Sequence, residues 1–440
     1  MTQECAIPSI PYYIRLFALC NYIFTEMFPF CHWIGGKFLA IAGIITEYNP
    51  LHTGHVHLLE ETRRALGADT AIVCVMSGDF VQRGDFALVR RQARARAAVL
   101  SGADLVLELP LPWAVSSAER FAQGGVRTLL ATGLVTHLAF GSECGDAQAL
   151  ERVAAALLSD PFTERLRQEL TAGASFAASR QRAVAALLDD KDAALLESPN
   201  NTLGVEYVKA LLREGSAVNL FTIPRSGAAH DAHPEAGQHA SASSIRMLLR
   251  EGQEREALDL MAPAMGVLYR EEEAAGRAPV FGETCERAML YRLRMMDEGD
   301  LARLDEGREG LYRRLYQASR TASSVEEVLE QAKTKRYAYA RLRRMVLWAY
   351  LGLDPHTFPQ QPPYLRPLAA NKTGRELLAR MKTTASVPVL TKPADVRRLS
   401  REAQDLFAME ARAVDLYTLA YPQLSASQGG SAWRENPVMV

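Results

Sequence analysis

Four short apolar runs alternate with helix-like segments in the first third of the chain, and this alternation constrains the fold more than any other feature. The runs lie at 38–46 (FLAIAGIIT), 70–76 (TAIVCVM), 104–109 (DLVLEL) and 135–140. Such continuous runs are typical of strands buried on both faces of a parallel sheet. Strands that alternate with helices at this spacing form right-handed βαβ units. We therefore predict an α/β fold with a Rossmann-like, doubly wound parallel sheet.

The rest of the chain is mainly helical, apart from a fifth short strand predicted at 219–223 and a Gly/Ala/His/Ser-rich stretch at 226–242 that predicts a flexible loop. From about residue 280 onward the pattern is nearly all helical. We predict four parts: an N-terminal extension at 1–37, the α/β domain at 38–265, a helical C-terminal domain at 266–425 and a disordered Ser/Gly-rich tail at 426–440.

The first 37 residues match neither a membrane span nor a signal peptide. A spanning helix needs about 20 mainly apolar residues, and a signal peptide needs an uninterrupted apolar core. Polar side chains interrupt the segment here, namely Arg15, Asn21, Glu26 and His32. We interpret the segment as a non-native or mis-assigned extension, with the folded protein starting near Lys37 or at Met27. A membrane-associating segment is the alternative.

Charge and cysteine usage narrow the class of protein. Lys+Arg is 50 and Asp+Glu is 51, so the net charge neither favours nor excludes nucleic acid, and any such signal must be local. The six cysteines include no C-x-x-C pair. This spacing argues against a zinc site or a disulfide framework, so we predict no protein-bound metal and a reducing, cytoplasmic location.

The segment 47–55 (EYNPLHTGH) follows the first buried strand and opens a helix. A helix N-terminus presents unpaired N–H groups and a positive dipole end, which suit a phosphate. Gly54 has no side chain, so a nucleotide can approach the backbone closely. An imidazole of His52 or His55 can donate to the oxygen between the α- and β-phosphates as pyrophosphate leaves. The alternative is a chance H-x-G-H in a loop, but the position between strand and helix favours a nucleotide site.

This arrangement resembles the nucleotidyltransferase superfamily with an H-x-G-H signature, which includes class I aminoacyl-tRNA synthetases and pantothenate synthetase. Several members carry a second signature similar to Ile-Ser-Ser-Thr-x-x-Arg. Residues 241–246 (SASSIR) resemble it imperfectly. The resemblance implies that Ser243, Ser244 and Arg246 contact the β- and γ-phosphates, whereas a plain helix cap is the alternative.

Longer strings carry a closer resemblance over about 44–250. They are GIITEYNPLHTGH, VMSGDFVQRGDFALV, GADLVLELP, FGSECGD and SPNNTLGVEY, and together they are similar to the tRNA(Met) cytidine acetate ligase family. The resemblance implies that the enzyme activates acetate with ATP as acetyl-AMP and acetylates N4 of the wobble cytidine of elongator tRNA(Met). It implies Mg²⁺ held mainly by the ATP phosphates, and neither a membrane nor a protein partner. The alternatives are a small-molecule adenylyltransferase and a non-catalytic RNA-binding protein with a nucleotide fold.

The resemblance also implies the ATP contacts. They are Ile45, Thr46, Glu47, Tyr48, Asn49, Pro50, Leu51, His52, Thr53, Gly54, His55, Val56, His57, Leu58, Gly141, Asn200 and Arg225, with His52 and His55 catalytic. The family more often has a hydrophobic residue where Thr46 stands, so no role is assigned to that hydroxyl. Without the resemblance, Asn200 is interpreted as a helix cap and Arg225 as a surface residue.

Polar and basic clusters suggest how the acceptor binds. Asp79, Gln82 and Arg83 follow the second strand at the same sheet edge and are candidates for substrate contacts. Residues 90–96 and 333–344 are rich in cations and contain no acid, which favours RNA phosphates, and tyrosine can stack on an unpaired base. The predicted tRNA contacts are Arg90, Arg91, Arg94, Lys333, Lys335, Arg336, Tyr337, Arg341 and Arg344. Solvated or packed helix faces are the alternative for both clusters.

Overall fold

The structure, a computed structural model, describes residues 33–34, 37–38, 40–171, 175–225, 241–304, 310–334 and 337–440. Most of the predicted extension at 1–37 and of the predicted loop at 226–242 lies outside these residues, as do Lys335 and Arg336. In the described part of the chain, no helix combines the length and the apolar character needed to cross a membrane.

Eleven strands are described. They are β1 (Trp33–Ile34), β2 (Lys37–Phe38), β3 (Ile41–Thr46), β4 (Ala71–Ser77), β5 (Phe80–Val81), β6 (Asp85–Phe86), β7 (Leu105–Leu109), β8 (His137–Ser142), β9 (Asn219–Pro224), β10 (Pro367–Ala370) and β11 (Val438–Met439). Seven of them form one sheet in the order β11-β10-β7-β4-β3-β8-β9, while β1–β2 and β5–β6 are separate antiparallel pairs. The pairs β7–β4, β4–β3, β3–β8 and β8–β9 are all parallel, which confirms the predicted α/β sheet.

The helices lie mostly on the two faces of this sheet and in a C-terminal bundle. They are Thr53–Leu66, Arg91–Leu100, Leu111–Ala114, Ala118–Leu130, Ala147–Leu157, Asp160–Thr171, Phe176–Leu187, Asp190–Ala194, Pro199–Arg213, Ala242–Arg250, Glu254–Leu260, Pro263–Ala274, Glu286–Met295, Glu298–Arg303, Leu311–Thr321, Val325–Ala332, Tyr339–Leu351, Lys372–Thr384 and Arg401–Thr418.

Both faces of the central strands are covered, which explains their continuous apolar sequence. All residues of β3 and β4 are buried. Ile41 and Ile45 belong to a core completed by Ala118–Leu130 and Pro199–Arg213, whereas Ala42 and Ile44 belong to a second core on the opposite face. Side chains alternate between faces along a strand, so both odd and even positions must be apolar here.

The order of the strands reverses at β3. The chain proceeds from β3 to β4 and β7 on one side, then returns to place β8 and β9 on the other side. In a parallel sheet, such a reversal leaves a crevice at the carboxyl ends of the two strands that flank it. The crevice between β3 and β8 is therefore the expected place for a ligand.

The helical C-terminal part is joined to the sheet more closely than the predicted boundary near 265 implies. Phe80 and Phe86 of the β5–β6 hairpin share one apolar core with Trp348 and Tyr417. The chain then returns to the sheet, where β10 pairs antiparallel with β7 and the helix Lys372–Thr384 packs on it. Without β10, the backbone groups at this edge of β7 would have no strand partner.

The prediction of a disordered tail at 426–440 is wrong. Strand β11 pairs in parallel with β10, and Glu435 forms an ion pair with Arg90 at 3.1 Å. The side chain of Gln92 also donates to Glu435. Serine and glycine weaken local preference, but the open edge of β10 and the basic side chains of a distant helix supply the missing interactions.

Candidate active site

The loop between β3 and the next helix positions the two histidines. The Nδ1 atom of His52 accepts a hydrogen bond from the Gly54 amide at 3.1 Å and caps the helix Thr53–Leu66. The Nδ1 atom of His55 accepts reciprocally from the His52 amide at 3.3 Å. Because Nδ1 is the acceptor in each case, each neutral ring carries its proton on Nε2, which becomes a directed donor.

The ring of the buried His52 stacks with a tilt on the ring of the half-buried His55. Their centroids are 3.7 Å apart at 30°, and the Tyr48 ring meets His55 edge-on at 5.0 Å. Burial, followed by the charges of His52 and Arg225, holds the pKa of His55 well below its usual range. His55 is therefore neutral at pH 7 and acts as a hydrogen-bond donor and not as a cation.

A second polar group lies across the crevice, at the ends of β8 and β9. A Cβ on Gly141 would lie 3.0 Å from Cγ of Arg225, so a side chain there would crowd the arginine. Nη1 of Arg225 donates to Asn200 Oδ1 at 3.2 Å. The Glu143 carboxylate accepts from Asn200 Nδ2 at 2.7 Å and from the Asn200 and Asn201 amides. Glu143 thereby caps the helix Pro199–Arg213 and orients Asn200.

These groups surround one crevice. The helix Thr53–Leu66 contacts both β8 and β9, and the charge of Arg225 reaches His55. The structure thus brings together His55, Gly141, Asn200 and Arg225, which are far apart in sequence. Glu143 was missed, although its position directly after a strand end in FGSECGD is the kind of signal that marks a site residue.

Comparison with known proteins identifies the family. The family model described as HIGH Nucleotidyl Transferase matches residues 39–431. The tRNA(Met) cytidine acetate ligase of Acetivibrio thermocellus is 35% identical, over 91% of this chain and 100% of the relative. That of Thermoanaerobacter sp. (strain X514) is 34% identical, over 88% and 97%. The chain belongs to the tRNA(Met) cytidine acetate ligase family.

Solved structures in this ligase family share the fold. Thermotoga maritima TmcAL bound with alpha-thio ATP has a TM-score of 0.86 at 30% identity, covering 91% of this chain and 99% of that one. The apo form of the same protein has a TM-score of 0.88 at 30% identity, covering 91% and 100%. The resemblance inferred from the sequence strings is thereby confirmed.

Two residues of the predicted ATP segment, 45–58, hold the loop after β3 in place. Asn49 Oδ1 accepts from the Leu88 amide at 2.6 Å and from Arg246 Nη1 at 3.2 Å. Leu51 is fully buried in the core. These contacts connect the loop after β3 to the segment that follows β6 and to the Ala242–Arg250 helix. Asn49 and Leu51 therefore stabilise the conformation of the loop.

Residues 241–246 form a helix cap. Ser241 Oγ accepts from the Ser244 amide at 3.1 Å, and Ser244 Oγ donates to the Ser241 carbonyl at 2.8 Å. Arg246 is buried and donates to Asp85 Oδ2 at 2.6 Å. The structure therefore does not support phosphate contacts for Ser244 and Arg246, because their polar groups are used inside the fold. Ser243 is half-buried on the first turn.

The candidates after β4 have different environments. Asp79 is 4% exposed, and its Oδ1 accepts from the Arg91 amide at 2.7 Å, so the structure does not support the predicted substrate contact. Gln82 is half-buried and donates its amide to Glu47 Oε1 at 2.7 Å. Arg83 is exposed, and its charge reaches Glu47. Gln82 and Arg83 thus lie next to the loop after β3, whereas Asp79 is held inside the fold.

The tRNA contacts predicted at 90–96 are wrong for the buried arginines. Arg91 and Arg94 are 1% and 0% exposed. Arg91 forms an ion pair with Glu108 at 3.1 Å, and Arg94 donates to main-chain carbonyls. Arg90 is half-buried and is paired with Glu272 at 2.9 Å. The acids that pair with Arg90 and Arg91 lie on other elements, so the sequence of this helix alone does not predict them.

The second basic segment, at 333–344, lies against the β5–β6 hairpin. Tyr337 and Arg344 are buried, and a Cβ on Gly84 would lie 2.5 Å from the Arg344 amide nitrogen. Lys333 is exposed and Arg341 is half-exposed, its guanidinium 5.5 Å from the Tyr337 ring centre. The segment that carries these cations is therefore packed against the hairpin that carries Gln82 and Arg83.

Proposed function

We propose that the protein is an ATP-dependent ligase that activates acetate as acetyl-AMP and then acetylates N4 of the wobble cytidine of elongator tRNA(Met). The observation that carries this proposal is the crevice at the strand reversal. There, the loop that carries His52 and His55 meets the Arg225 guanidinium, directly after β9, and the Asn200 amide at the start of the Pro199–Arg213 helix. Family membership and the ATP analogue in the TmcAL structure support it.

In the first step, an acetate oxygen attacks the α-phosphorus of ATP and pyrophosphate leaves. Such a transfer depends on positioning and on charge neutralisation more than on a protein nucleophile. We assign the imidazole donors of His52 and His55 to the oxygen that leaves with pyrophosphate, and Arg225 to the phosphates. Gly54 and Gly141 leave room for the nucleotide at the backbone.

Mg²⁺ fits this site as a companion of the nucleotide. Among the described residues, no group of three or more His, Cys, Asp or Glu side chains converges to hold a metal ion. Glu143 is directed to the helix amides of Asn200 and Asn201. We therefore propose that the ATP phosphates hold Mg²⁺, which would neutralise their charge.

In the second step, the cytidine amine attacks the acetyl carbonyl of acetyl-AMP, and AMP leaves. We propose that the exposed and half-exposed cations of the 333–344 segment, Lys333 and Arg341 among the described ones, bind the tRNA backbone. The packing of this segment against the β5–β6 hairpin, next to the loop after β3, supports the proposal. A tRNA acceptor implies a cytoplasmic enzyme.

The test follows acetate-dependent ATP–pyrophosphate exchange and the transfer of radiolabelled acetate to bacterial tRNA. We expect both in the wild-type protein, and we expect His55→Ala to reduce exchange about 100-fold or more, the usual effect of losing one such donor. His356→Ala, at an exposed histidine of the helical part, is the matched control and should keep full exchange. Exchange that does not respond to acetate, or AMP attached to the product, would refute the proposal.

A further inference from the structure

The carboxylate of Glu47 lies where the loop after β3, the proposed ATP-binding loop, meets the β5–β6 hairpin. Glu47 directly follows β3 and is half-buried. Its Oε1 atom accepts from the Gln82 amide at 2.7 Å. Oε2 has no hydrogen bond or ion pair to any other described residue. One oxygen thus anchors the side chain, and the other is available to a ligand.

Other acids at this edge of the sheet are fully engaged. Asp79 is held by the amide and the guanidinium of Arg91. Asp85 accepts from the Phe86 amide and from Arg246. Glu143 uses both oxygens at the start of the Pro199–Arg213 helix. Of these four acids, only Glu47 keeps an oxygen for a reacting group.

Gln82 links Glu47 to the basic segment. Its amide donates to Glu47, and its carbonyl accepts from Arg344 Nη1 at 3.4 Å. The exposed Arg83 follows directly and acts on the Glu47 carboxylate through its charge. Gln82 therefore connects the Glu47 carboxylate to the segment that carries the outward cations. On the other side in sequence, the ring of Tyr48 meets His55 edge-on at 5.0 Å.

We propose that Glu47 is the general base of acetyl transfer, an inference that rests on the proposed function. The cytidine N4 attacks the acetyl carbonyl carbon, and the new C–N bond forms. One N4 proton passes to Glu47 Oε2. The bond between the acetyl carbon and the AMP oxygen then breaks, AMP leaves with the electron pair, and Glu47 releases the proton to water.

The surroundings of Glu47 suit a general base. Burial raises the pKa of its carboxyl group, which strengthens it as a proton acceptor. The Gln82 amide and the charges of Arg83, Arg94 and Arg246 act in the opposite sense and favour the ionised form. A base should combine both properties, being ionised before the step and basic enough to take a proton.

Glu47→Gln tests this role, because its amide oxygen can still accept from Gln82 but cannot take a proton. We expect acetyl transfer to tRNA to fall about 100-fold or more, a typical contribution of general base catalysis. Acetate-dependent exchange, which reports the first step, should fall much less than transfer does, because the Gln82 hydrogen bond is kept. Glu47→Asp keeps a carboxylate and should retain more transfer than Glu47→Gln. Glu60→Gln, exposed on the helix that carries His52 and His55, should leave both activities unchanged.

The outcomes separate the two proposals. If the wild-type protein shows no acetate-dependent exchange, the proposed function fails, whatever Glu47 does. If exchange and transfer fall together in Glu47→Gln, Glu47 serves ATP binding or folding and the assignment is overturned. Transfer unaffected by Glu47→Gln also overturns it, and so does a Glu47→Asp variant less active in transfer than Glu47→Gln.

Discussion

Replacing Arg94 by methionine should destabilise the fold strongly, because one guanidinium serves several loops. Arg94 donates to the carbonyls of Val89 at 2.7 Å, Glu47 at 2.5 Å and Ser77 at 3.2 Å, and also to Gly78. It thereby ties the loop after β3 to the loop after β4. Methionine fills similar space but donates to none of these oxygens.

The size of the effect follows from the carbonyls left behind. Three of the four bonds are in the interior, and each buried acceptor without a partner costs about 1–3 kcal/mol. Because neighbouring groups relax and the buried charge disappears as well, we expect a loss of about 3–5 kcal/mol, as for a broken buried network. Urea unfolding followed by circular dichroism measures this loss.

A matched control lies on the same helix. Arg96 is paired with Glu271 at 3.0 Å, but both side chains are about half-exposed. Arg96→Met should therefore cost less than about 1 kcal/mol. If Arg94→Met unfolds like the wild type yet binds tRNA more weakly, the structural role of Arg94 is refuted and the original prediction of an RNA contact returns.

Three further predictions concern the crevice, the buried acids and the C-terminus. Gly141→Val should weaken ATP binding about tenfold or more in a nucleotide titration, since its Cβ would crowd Arg225 at 3.0 Å; unchanged affinity would contradict this. Burial and the charge of Glu108 raise the pKa of Glu410 to about 7, so this group's contribution to stability is present below about pH 4.5 and is lost as pH rises through 7. Glu410→Gln should thus flatten the unfolding free energy between pH 5 and 8, and an unaltered pH slope would exclude this role. Deleting 435–440 removes β11 and Glu435 and should cost about 2–4 kcal/mol in thermal unfolding, whereas an unchanged melting temperature would show that the tail contributes little.

Local features of the sequence were sufficient for the sheet and for the two histidines. A strand buried on both faces must be apolar at every position, so its pattern is visible in a short window. His52, Gly54 and His55 are neighbours in the chain, and the strand–turn–helix that contains them is a local structure. Gly141, Asn200 and Arg225 needed the family resemblance, because only the fold brings them to the crevice.

Whether each charged side chain is buried or exposed depended on the tertiary structure alone. The 90–96 cluster has no acid of its own, yet Glu108 of β7 and Glu435 near the C-terminus both pair with Arg91. The tail is ordered for the same reason, since its partners are an edge strand and a helix far away in sequence. A charged side chain can be buried only where long-range packing supplies counter-charges and backbone hydrogen-bond partners. Because these partners are distant in sequence, the neighbouring residues alone do not predict them.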